Sequence, residues 1–143
     1  MLRGRIDISR GLDGDSVVLA CIDLVEEDVR ASAHAVRATV EERFRVPPIS
    51  GDDVVDLREL TGLADELGAP GLDGAMRTLV FSPARLKVYR EAVAAFVDSR
   101  DQAEWLRDED REPLARVRAL LPGLADLCEE AIRAAISPAP RPA

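Results

Sequence analysis

From Leu114 to Ala135 the apolar residues Leu114, Val117, Leu121, Leu124, Cys128, Ala131 and Ala135 follow one another at alternating steps of 3 and 4. Steps of that kind put every one of them on one side of an α-helix, where they form a seam that must be covered. The same spacing recurs through most of the chain, and it restricts the fold more than any single motif does. From Val17 to Phe44 the residues Val18, Ile22, Val25, Val29, Val36 and Val40 step by 3, 4 and 7. Asp23, Glu26, Glu27, Arg30, Arg37 and Glu41 fall on the opposite side. This spacing predicts one long helix over residues 17–44, about 42 Å long at 1.5 Å per residue. A further strip on it carries Leu24, Ala31, Ala35 and Ala38, small enough for another helix to approach closely.

Stop and start signals divide the remainder. Val46-Pro47-Pro48 ends the first helix, because proline lacks an amide donor and its ring obstructs the preceding turn. Ser50, Gly51, Asp52 and Asp53 supply a cap and first-turn acids for a second helix, with Leu57, Leu60, Leu63 and Leu67 inward and Gly68 at its end. Residues 68–77 hold three glycines and a proline and form the expected mobile loop. Ser82-Pro83 reads as N-cap and first helical residue of a third helix, with Leu86, Tyr89, Val93, Phe96 and Val97 on one face. Residues 98–112 alternate both charge signs around Trp105 and Leu106, which marks a solvated turn or short helix. Asp110 is a suitable cap for the last helix. Pro122 is expected to kink or restart that helix, at a cost of about 3 kcal/mol.

The expected fold class is all-α: a four-to-five-helix bundle over residues 1–137, as a single domain, followed by a flexible proline-rich tail at 138–143. Residues 4–9 alternate polar and apolar and leave room for a short N-terminal strand, with 78–81 as a second short extended run.

Charge narrows the partners. The 143 residues carry 19 basic and 27 acidic side chains, a net charge of −8. The first 70 residues hold 8 basic and 15 acidic groups, so nearly all of the excess lies there. No basic stripe exists to displace counterions from phosphates, so neither nucleic acid nor an anionic membrane is an expected partner. Eighteen of the 19 basic residues are Arg, which looks like the codon bias of a GC-rich genome and is no sign of phosphate recognition. No run of about 18 apolar residues offers a membrane span, and the first residues lack the apolar core of a secretory signal, so the cytoplasm is the expected compartment.

Catalytic equipment is sparse. His34 is the one histidine, and no Asp, Ser or Cys nearby in sequence is placed to orient it. The chain has two cysteines, Cys21 and Cys128, at no metal-ligand spacing, and they read as reduced, packed side chains. No catalytic residue, cofactor or metal ligand is expected. The expected function is a non-enzymatic helical module for protein–protein interaction or self-assembly. Its interface residues would be Leu24, Ala31, Ala35, Ala38, Trp105 and Leu106. One alternative is a small-molecule or anion-binding helical domain, conceivably an enzyme, with a pocket gated by the 68–77 loop and lined by Ser82, Arg85 and Tyr89. Another is an acidic regulator of a basic partner protein.

Overall fold

The computed structural model describes residues 2–10, 16–44, 51–72 and 74–136. The described residues form β1 (Arg3–Arg10), β2 (Ser16–Val25), α1 (Glu26–Phe44), α2 (Gly51–Leu67), β3 (Met76–Phe81), α3 (Pro83–Asp101) and α4 (Asp108–Ile136). The three strands make one antiparallel sheet in the order β1-β2-β3. The expected all-α bundle is therefore corrected to a mixed fold, in which four helices are joined by a three-stranded sheet.

The difference lies in residues 16–25. Their apolar steps fit a helix, but the segment is a nearly unbroken apolar run with Val17, Val18, Ile22 and Val25 branched at Cβ, and Asp23 is its one charge. Such residues lose rotamer freedom in a helix and pack well on a pleated surface covered by neighbours. Glu26, Glu27 and Asp28 then stand in the first turn of α1, where negative charge offsets the positive end of the helix dipole. The chain passes from strand to helix with no intervening residue. The strand suggested at 4–9 and the run at 78–81 both exist, as β1 and β3, but β2 lies between them. The turn at 11–15, the stop at 46–48, the Ser50 cap and the tail at 138–143 lie outside the described residues.

Register decides which side of the sheet is covered. Gly4 and Ile6 stand opposite Ile22 and Ala20, which in turn stand opposite Leu79 and Phe81. Side chains alternate along a strand, so these residues share one face. Ala20, Ile22, Leu24, Leu79 and Phe81 are buried there. A Cβ on Gly4 would lie 2.7 Å from a Leu127 methyl group, so α4 packs its Leu127 side chain into the space above this glycine of β1. The opposite face carries Val17, Met76 and Val80, which are 44%, 56% and 48% exposed.

Helix α1 is the centre of the core. Val29, Ala31, Ser32, Ala33, Ala35, Val36 and Thr39 are all buried, so little more than one narrow strip of it meets solvent. Helix α3 follows its expected pattern: the Ser82 hydroxyl accepts from the Arg85 amide, Pro83 opens the helix, and Leu86, Tyr89, Val93, Phe96 and Val97 are buried. Tyr89 stacks on Phe81 with ring centres 5.3 Å apart, and its hydroxyl meets Ser32 at 2.5 Å. Helix α4 runs through both Pro113 and Pro122 as one 29-residue helix, so the chain does not restart near Leu121. Its buried stripe is shifted from the expected seam: Leu114, Val117, Leu124, Cys128 and Ala131 are buried together with Leu120 and Leu127, whereas Leu121 is half-buried and Ala135 exposed. Cys21 and Cys128 are both buried and free. The Cys21 thiol donates to Asp7 at 3.3 Å. Burial and that carboxylate push its pKa up, and burial does the same for Cys128.

Candidate functional site

The solvent-facing strip of α1 carries Arg30, His34, Arg37, Ala38 and Glu41 at helical spacing. It forms one wall of a cleft of about 650 Å³. The loop Gly68–Gly71 makes a second wall, and Arg100, Arg107, Glu109 and Asp110, around the start of α4, make the third. A recess of about 230 Å³ around Trp105 and Leu106 shares Ala38, Glu41, Arg100, Arg107 and Asp110 with it. Volumes of several hundred Å³ suit a metabolite-sized ligand.

At the bottom stands a carboxylate with two partners. Asp110 is 5% exposed. Its Oδ2 accepts from Arg100 Nε at 3.0 Å, and its Oδ1 lies 2.6 Å from His34 Nε2. Burial alone would raise the Asp110 pKa, but the His34 hydrogen bond and the Arg100 guanidinium outweigh it and hold the carboxyl below the ordinary aspartate value. Arg100 also donates to Glu42 at 2.9 Å and lies over the Phe96 ring, 4.7 Å from its centre. The edge of the His34 ring packs against the same Phe96, with centres 5.7 Å apart. His34 is thus held by a carboxylate on one side and an aromatic ring on the other. Asp110 stands 76 residues from His34 in the sequence. Nothing in the local pattern signals that pairing.

The glycine-rich wall is fixed at its base. Glu26, 2% exposed, receives Arg77 Nη2 at 2.6 Å, and the same guanidinium group donates to the Ala69 carbonyl at 2.8 Å. The Glu26 amide donates to the Ala75 carbonyl, and the Gly74 amide to Glu27 Oε1, each at 2.9 Å. Gly74 has a φ of +74°, which glycine adopts without a Cβ penalty. The segment expected to gate a pocket therefore does line one, but it is strapped to the start of α1. The Arg37 guanidinium lies against Gly68, where a Cβ would collide with it.

The residues singled out from sequence do not gather in one place. Leu24, Ala31 and Ala35 are buried within the chain's own core. Ala38 borders the cleft, and Trp105 (72% exposed) and Leu106 border the adjoining recess. Ser82 serves as the α3 cap. Arg85 reaches back to Glu66 at 3.3 Å, tying α3 to α2. Tyr89 lies in the core, where burial pushes its pKa up to about 12, partly offset by the Ser32 hydrogen bond.

Among the described residues no group of three or more His, Cys, Asp or Glu is placed to hold a metal ion. No helix among them is long and apolar enough to cross a membrane. No family model, no curated protein and no solved structure matches this chain.

Proposed function

We propose that this domain binds a small polar anion, a carboxylate or a phosphate ester, in the cleft beside α1. One observation carries the reading. The two buried acids of the cleft, Glu26 and Asp110, are already matched by Arg77 and Arg100, while Arg37 on the same wall makes no ion pair among the described residues. A guanidinium without a carboxylate partner, beside a glycine loop that leaves it room, suits a planar or tetrahedral anion. The reading rests on that placement and owes nothing to the abundance of arginine.

The test is a thermal-shift panel of small carboxylates and phosphate esters on wild type and Arg37→Gln. A ligand at about a hundred times its Kd stabilises by about 2.7 kcal/mol. For a domain of this size that raises Tm by roughly 2–4 °C per kcal/mol. At least one anion is expected to give such a rise, and Arg37→Gln is expected to remove it. No response to any anion at millimolar concentration contradicts the proposal.

The interaction reading keeps support from exposed apolar side chains, among them Val17, Met76 and Val80 on the open sheet face and, separately, Trp105 at the recess. The acidic-regulator reading loses some of its charge, because Glu26, Asp28 and Asp23 pair within the chain with Arg77, Arg116 and Arg5.

A further inference from the structure

The hydrogen bonding around Asp110 bears on what a ligand in the cleft can present to His34. The Asp110 carboxylate is ionised at neutral pH, since its pKa lies below the ordinary aspartate value. An ionised carboxylate only accepts, so the proton between it and His34 belongs to Nε2. The neutral imidazole that can make this bond is the Nε2–H tautomer. In that tautomer Nδ1 carries a lone pair and no hydrogen. Among the described residues Nδ1 has no hydrogen-bond partner, while His34 is about one-third exposed and lines the cleft. The cleft therefore combines a cationic group at Arg37 with a bare acceptor at His34.

We propose that the ligand is a hydroxylated anion, its charge at Arg37 and its hydroxyl donating to His34 Nδ1. This inference rests on the anion reading of the cleft and names the class of compound within it. Asp110 is a positioning residue in this scheme: it fixes which nitrogen is bare.

The test compares matched pairs of probes by titration calorimetry at neutral pH: glycerol phosphate against n-propyl phosphate, and lactate against propionate. A net hydrogen bond of this kind corresponds to roughly a 3- to 12-fold change in affinity. The hydroxylated member of at least one pair is expected to bind tighter by that factor. His34→Phe is expected to bring the ratio near one while the deoxy probe still binds, whereas Arg37→Gln weakens both members. Since His34 is the sole histidine, ¹⁵N spectra of the wild-type imidazole read the tautomer without assignment. They are expected to show Nε2 protonated and Nδ1 bare. Equal affinities within a pair that binds, or a protonated Nδ1, overturn this inference and leave the anion site standing. Absence of binding by all four probes overturns both.

Discussion

Glu26 and Arg77 meet at 2.6 Å at the corner where β2 runs directly into α1, and the two side chains are only 3% and 21% exposed. The pair joins the first turn of α1 to β3, and through the Ala69 carbonyl it also fixes the glycine wall of the cleft. Removing one partner of a buried pair leaves the other charge uncompensated, at a cost of about 3–5 kcal/mol. Glu26→Gln is expected to lower the urea unfolding free energy toward the lower end of that range, because Arg77 retains some solvent and the Ala69 contact. A change below about 0.5 kcal/mol would mean that the corner is held by backbone alone.

Tyr89 gives a second test, helped by its being the sole tyrosine. Its folded pKa of about 12 lies above the ordinary value near 10. For a group whose charged form is the deprotonated one, a raised pKa means stability that is whole below pH 10. That stability is then lost as pH rises from 10 through about 12. Ultraviolet titration is expected to show no tyrosinate at pH 10–11 while the protein remains folded. Ionisation near pH 10 with native circular dichroism would place the hydroxyl in water.

The Ser32–Tyr89 hydrogen bond is open to a double-mutant cycle. Tyr89→Phe leaves a buried serine hydroxyl without its partner and is expected to cost about 1–3 kcal/mol. Adding Ser32→Ala removes the orphaned group, so the double variant is expected to be less destabilised than the two single losses summed.

How much of this was legible beforehand differs from element to element. Helix α3 was legible in full, because Ser82-Pro83 marks its start and its buried face obeys helical spacing over five residues. Strand β2 was not, because Val18, Ile22 and Val25 satisfy helical steps and also belong to a continuous apolar run. Periodicity alone cannot separate those two, and the acids at 26–28 that mark the true helix start read equally well as a polar helix face. The alanine strip at Ala31 and Ala35 was legible as a close-packing surface, but not as one covered by the chain itself. The candidate site was the least legible part. His34, Arg100 and Asp110 come from α1, α3 and α4, and no local pattern records a pairing made by the tertiary fold.

Asp110 also makes a statement about pH. Its folded pKa lies below the ordinary aspartate value of about 3.9, so the stability it contributes is complete above that value. It is lost as pH falls from there through the lower folded pKa. Asp110→Asn is expected to flatten this acid limb in chemical denaturation series run between pH 6 and pH 2. An unchanged acid limb in the variant would show that Asp110 is not ionised in the native protein.

Packing of α4 on the sheet is testable at Gly4. A Cβ there meets the Leu127 side chain, so Gly4→Ala is expected to cost about 1–3 kcal/mol through forced displacement. Pairing this substitution with Leu127→Ala is expected to return part of the loss, which independent sites would not do.

The central claim is that an anion occupies the cleft beside α1, and amide chemical-shift mapping during a glycerol phosphate titration tests it most directly. Saturable shifts are expected at His34, Arg37, Gly68, Ala69 and Gly71, which border the cleft. Shifts gathered instead on Val17, Met76 and Val80 of the open sheet face, or none at any concentration, would contradict it.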